Sequence, residues 1–148
     1  MKEENDNTIE IYQNARGISY RVIATISIPK INVHLPIIST TSDELLEIAP
    51  TKFFGPEVNQ IGNFCITGHN LKSDKHFSNL SKLEINDIVK LADRNNNELI
   101  YKVYDKYEVY ETDLSCTSQD TNEQIELTLI TCTKNSKKRL VVKCVASE

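Results

Sequence analysis

The sequence predicts a single all-β domain, and three observations carry that prediction. Short runs rich in β-branched and aromatic residues recur along most of the chain, punctuated by Gly, Pro, Asn and Asp. Helical signals are confined to two short stretches. The length, 148 residues, suits one domain with room for a real core. Seven or eight short strands with few helices fit a closed barrel or a sandwich.

The elements read in order as follows. Residues 1–18 form an N-terminal arm or lead-in, and residues 19–148 the folded domain. The run at 21–28 is a β-branched strand that Pro29 ends. Residues 33–38 make a second strand, interrupted by Pro36 and so an edge or bent one. Thr41 stands as a helix cap with Glu44 three residues later, ahead of Leu45, Leu46 and Ile48. A third strand at 63–67 lies between Gly62 and Gly68, and one more helical turn fits at 79–83. Residues 87–92 form a fourth strand, closed by the turn-rich segment 93–97. Residues 99–110 are one bent strand or two, with tyrosines at 101, 104, 107 and 110, every third position. Two final strands, 125–132 and 139–145, are joined by a polar loop.

Composition excludes several function classes. A net charge of −4 offers no basic footprint for nucleic acid. No run of about 18 apolar residues spans a membrane, and the polar, acidic start at residues 1–7 is no secretory signal. The chain is therefore either intracellular or separated from an anchor. Cys65, Cys116, Cys132 and Cys144 contain no C-x-x-C pair and read as separate thiols, with Cys144 in the core and Cys116 in an exposed loop. No metal or cofactor is expected. Cys65 and His69 are four residues apart on a strand, about 13 Å, too far to share an ion with His76. Asp113, Asp120 and Glu123 lack the ligand spacing of a calcium loop. His34 and His76 read as surface or loop residues.

Strand alternation singles out three chemical groups. Along 125–132, Ile125, Leu127 and Leu129 make the core face, which leaves Cys132 at the strand end on the other face. Along the last strand Leu140, Val142 and Cys144 face the core and Arg139 does not. Phe64 and Ile66 mark the core face of the third strand, and His69 ends it on the opposite face, just after Gly68. A hairpin between the last two strands brings Cys132 and Arg139 to one end of the sheet. A thiolate nucleophile, a histidine proton carrier and an arginine facing a developing oxyanion are the parts that acyl transfer needs.

The local motifs are more specific than the trio. Thr128-Leu129-Ile130-Thr131-Cys132 resembles the T-L-x-T-C signature around the nucleophile of sortases. Ile66-Thr67-Gly68-His69-Asn70, after Gly62-Asn63, resembles the histidine motif of that family. Arg139-Leu140-Val141-Val142 is similar to its arginine-led final strand, and Ile26-Ser27-Ile28-Pro29-Lys30-Ile31 with Leu35-Pro36-Ile37 to its opening strands. The order His, Cys, Arg also agrees, and the resemblance covers residues 21–145.

The resemblance implies a closed eight-stranded β-barrel with a few short helices, residues 19–148 being the catalytic domain. It implies a cysteine transpeptidase on the outer face of a Gram-positive cell membrane, whose N-terminal tether is missing from this chain. The substrate would be an LPxTG-like sorting signal. The acceptor would be an amine of a peptidoglycan precursor or a pilin. Cys132 would be the nucleophile, His69 the acid and base, and Arg139 the holder of substrate and oxyanion. Thr131 and Asn70 would contact substrate, and the segment 111–124 would wall the signal groove. Ordinary cysteine and histidine values, near 8.5 and 6.5, predict a minor thiolate–imidazolium fraction, slow turnover and a bell-shaped pH profile. Two other readings stand beside this one: a cysteine hydrolase with water as acceptor, and a non-enzymatic β-domain that binds surface polymers.

Overall fold

The computed structural model describes residues 11–13, 16–70, 76–132 and 137–147, with the backbone alone at Ile11 and Cys132. Most of the N-terminal arm, part of the loop after Cys132 and the side-chain orientation of Cys132 therefore lie outside the described residues. Among the described residues nine strands follow in chain order: β1 (Ile11–Gln13), β2 (Ser19–Ile28), β3 (Val33–Ile38), β4 (Thr51–Phe54), β5 (Gly62–His69), β6 (Ile88–Asp93), β7 (Glu98–Tyr110), β8 (Ile125–Cys132) and β9 (Lys138–Ala146). Among the same residues one α-helix, α1 (Asp43–Ile48), lies between β3 and β4, and three 3-10 turns occupy Pro29–Ile31, Leu80–Lys82 and Ser115–Thr117.

The strands neighbour one another in the order β1-β2-β3-β4-β5-β8-β9-β7-β6, and β2 also pairs with β6. That last pairing closes β2 to β9 into the expected eight-stranded barrel. β1 is an addition outside the closure. It pairs with the start of β2, and its Tyr12 stacks on Tyr20 at 5.7 Å between ring centroids. Neighbouring pairs are antiparallel except β5–β8, parallel throughout, and a single parallel bridge from Ile38 of β3 to Thr51 of β4.

Two strands escape the sequence reading. β1 falls inside the lead-in. β4, Thr-Lys-Phe-Phe, is too short to show alternation. Residues 99–110 belong to one strand rather than two, and a bulge between Val103 and Asp105 supplies the bend. The bulge explains the tyrosine spacing. Before it Tyr101 points into the barrel and is fully buried, and after it Tyr107 packs on the outside. The helix starts one residue later than the capping-box reading. Ser42 is the cap, and its Oγ accepts from the Leu45 N–H at 3.1 Å.

The barrel interior is filled by the alternate residues that the sequence assigns to it. Phe64 and Ile66, Leu127 and Leu129, and Val142 and Cys144 pack there with Ile26, Leu91 and Tyr101. The opposite face of β5, β8 and β9 is also covered. Cys65, Ile130 and Val141 form a second apolar cluster with Cys116, edged by Phe53, Tyr107 and Val109. Every residue of β5 is buried as a result. This corrects the placement of Cys116 in an exposed loop, since that residue is 4% exposed.

Candidate active site

The parallel ladder between β5 and β8 sets the geometry of the site. It runs without a slip from Gly62 opposite Ile125 to His69 opposite Cys132. Two residues far apart in sequence thus end adjacent strands side by side, about 4.8 Å apart in backbone spacing. β9 lies on the other side of β8. Its ladder to β8 includes Ile130 opposite Val141, and Thr131 Oγ1 then accepts the Leu140 N–H at 2.9 Å. Continuing that register by two residues sets Arg139 across from Cys132. Histidine, cysteine and arginine therefore occupy three neighbouring strands at one end of the barrel, in the spatial order β5, β8, β9.

Arg139, Val141 and Lys143 share the outer face of β9. Val141 joins the outer cluster, Lys143 Nζ reaches the Cys116 carbonyl at 3.0 Å, and the Arg139 charge acts on the Cys116 thiol. Arg139 is half-buried. His69 follows Asn63, Cys65 and Thr67 on the outer face of β5 and is 6% exposed. Both of its ring nitrogens are buried without a hydrogen-bond partner among the described residues. An imidazole that no described residue satisfies is a candidate to act on something else.

A close backbone approach positions the histidine. A Cβ built on Gly68 would meet Cδ2 and Cγ of Phe77 at 2.5 and 2.6 Å. Phe77 is fully buried in the barrel core, and its N–H donates to the His69 carbonyl at 3.0 Å. Glycine before the histidine therefore lets an aromatic ring press against the strand and fix its end. Past it, Asn70 is exposed and makes an isolated bridge to His76. Thr131 is buried, its hydroxyl engaged with β9.

The segment 111–124 crosses the outer face and is tied down by buried polar groups. Asn63 Nδ2 donates to the carbonyls of Cys116 and Ser118 at 2.9 and 3.1 Å, and Thr128 Oγ1 donates to Asn63 Oδ1 at 2.6 Å. The Gln119 amide pairs reciprocally with the Asn63 backbone, both contacts at 2.8 Å. The Ser115 hydroxyl first, and then the Ser115 N–H that donates to Asp113 at 2.9 Å, hold the Asp113 carboxyl below the usual range. Gln119 also lines an open groove of about 520 Å³, together with residues 39–41 and 52–56. Two phenylalanines and Pro56 give the groove an apolar wall, and Ser39, Thr40 and Thr41 give it hydroxyls. Among the described residues no three His, Cys, Asp or Glu side chains gather as metal ligands.

The family model described as Sortase domain matches residues 26–147. The chain belongs to the sortase family. It is 36% identical over 143 residues to Sortase A of Bacillus anthracis, an alignment covering 87% of this chain and 61% of that protein. This sortase thus spans about three fifths of the length of that curated relative. Among solved structures, Sortase A from Corynebacterium diphtheriae superposes with a TM-score of 0.76 at 30% identity, covering 86% of this chain and 61% of the other. A Sortase D5 transpeptidase of Clostridium perfringens superposes at 0.80 with 26% identity, covering 100% of this chain and 90% of the other. No helix among the described residues is long and apolar enough to cross a membrane.

The sequence reading missed the residues that hold the site together. Asn63 was noted only as part of a motif, and Gln119, Lys143 and Phe77 carried no signal. Each works through a tertiary contact, so no local spacing reveals it.

Proposed function

We propose that this sortase is a cysteine transpeptidase acting on an LPxTG-like sorting signal. The observation that carries the reading is the register of β5 on β8, which sets His69 beside Cys132. The Cys132 thiolate attacks the carbonyl carbon of the scissile amide, and the Arg139 guanidinium donates to the oxyanion that develops. Protonated His69 gives its proton to the departing amine as the C–N bond breaks, which leaves a thioester on Cys132. An incoming amine transfers a proton to His69, attacks the thioester and expels the thiolate. The groove beside β4, apolar on one wall and hydroxyl-lined on another, has the character to seat an extended peptide. Asn70, exposed just past His69, adds a substrate contact, whereas Thr131, buried and bonded to Leu140 of β9, holds the strand end that carries Cys132. The acceptor is an amine of a peptidoglycan precursor or a pilin, and the enzyme works at the surface of a Gram-positive cell.

The test is intact-protein mass spectrometry with a panel of LPxTG-like peptides, with and without triglycine, beside a Cys132→Ala variant. The expected result is a thioacyl adduct on the parent alone, converted by triglycine into a peptide–amine product. Cleavage that triglycine leaves unaltered points to the hydrolase. Turnover that survives in Cys132→Ala overturns the assignment.

A further inference from the structure

Two thiols that the proposed chemistry does not use lie together on the outer face. Cys65, at the middle of β5, and Cys116, in the 3-10 turn of the crossing segment, belong to one small cluster with Ile130 and Val141. Hydrogen bonds fix their relative placement. Asn63, two residues before Cys65 on the same face, holds the Cys116 carbonyl at 2.9 Å. Lys143 holds that carbonyl from β9 at 3.0 Å, and Lys143 stands opposite Thr128, which stands opposite Cys65. The turn carrying Cys116 is therefore seated over the row that contains Cys65. Cys144 lies inside the barrel, on the other face.

We infer that Cys65 and Cys116 form a redox pair whose disulfide staples the segment 111–124 onto β5. Formation needs a two-electron oxidant, such as a disulfide-exchanging reagent or diamide. With diamide, one cysteine sulfur adds to the N=N bond. The second thiolate displaces the nitrogen, the S–S bond forms, and the two thiol protons end on the resulting hydrazine. Burial lifts the Cys65 thiol to about 12 and raises Cys116 as well, so the closed form holds little thiolate. Reaction proceeds when the crossing segment lifts and Cys116 meets the oxidant. The pair thus stays reduced while the segment is seated and locks it once oxidised. This inference does not depend on the transpeptidase reading.

The experiment uses the 148-residue Cys132→Ala protein, to remove the competing thiol, treated with diamide at neutral pH. Non-reducing peptide mapping is expected to find one cross-link, joining the peptides of Cys65 and Cys116. The melting midpoint is expected to rise by about 10 °C, as a bridge closing a loop of this length predicts, and dithiothreitol should reverse the rise. Cys116→Ser and Cys116→Ala, each made in the same background, should show neither the cross-link nor the rise. A cross-link to Cys144, no cross-link at all, or a cross-linked protein that melts lower than the reduced one would each overturn the proposal. The melting midpoint of each reduced variant shows whether it has folded.

Discussion

Gly68→Ala should injure the enzyme through Phe77, and the structure sets the size of the effect. The added methyl carbon would stand 2.5–2.9 Å from three atoms of the Phe77 ring. Carbon atoms in contact normally sit about 3.5–4.0 Å apart, so the ring must retreat by about 1 Å. It has little room to do so, being fully buried among the barrel core. Gly68 does not have the positive φ found at Gly17, Gly55 and Gly62, so the cost is steric rather than conformational. Overpacking of this kind costs about 1–3 kcal/mol. The strain falls on His69, because Phe77 donates to its carbonyl, and a misplacement of about 1 Å near the reacting groups can cost 100-fold in turnover. Urea melts and peptide turnover should be measured for Gly68→Ala, Phe77→Ala and the double variant. Phe77→Ala alone should cost about 3–5 kcal/mol, and the double variant should cost clearly less than the two changes added together. The reasoning fails if Gly68→Ala lies within about 0.5 kcal/mol of the parent with full turnover, or if the two losses simply add.

Three further outcomes are expected. Asn63→Leu should lose about 2–4 kcal/mol, since it strands the Thr128 hydroxyl and the Ser118 carbonyl and leaves the Cys116 carbonyl to Lys143 alone; it should also open Cys116 to alkylation, and a urea midpoint equal to the parent's would refute this. Thr131→Val keeps the shape but removes the acceptor of the Leu140 N–H; a loss of about 1–2 kcal/mol in urea melts is expected, with kcat falling more than KM changes while Cys132 still alkylates. Asp87 accepts from Lys30 at 2.8 Å and from the Glu84 N–H at 2.7 Å, and its carboxyl is held below the ordinary value, first by Lys30. Its stabilisation is therefore complete above the ordinary aspartate range and is lost as pH falls through the lowered value; the melting-point gap between parent and Asp87→Asn should hold at neutral pH and close in acid, and a gap independent of pH would contradict this.

Much of the barrel is legible in the sequence because its strands carry their own punctuation. Gly62 and Gly68 bracket the third predicted strand, Pro29 ends the first, and alternation along 125–132 separates Leu127 and Leu129 from their neighbours. The order of pairing is not legible that way. Nothing local indicates that β5 lies against β8 or that the two run parallel. The outer face is harder still. Thr128 is a polar residue on the face away from the barrel core, yet it is buried, with Asn63 accepting its hydroxyl. Cys116 sits in a Ser-Cys-Thr-Ser stretch that looks like an open loop, and it is covered because Asn63 and Lys143 draw its backbone down. The candidate trio stands out in the sequence because each member lies at a strand terminus, where alternation and motif coincide.

On the proposed function, the parallel pairing of β5 with β8 also decides when the site is complete. A parallel pair needs a long connection, and here β6, β7 and the crossing segment all intervene before β8 is reached. Contacts of such sequence separation form slowly, after local hairpins such as β6–β7. A partly folded chain therefore carries the Cys132 thiol with no histidine beside it. A ladder slipped by one residue would set Cys132 against Gly68 or Asn70 and turn the strand's faces over. Nascent and misregistered chains thus lack the proposed trio, and only this long-range closure assembles its three groups in one place.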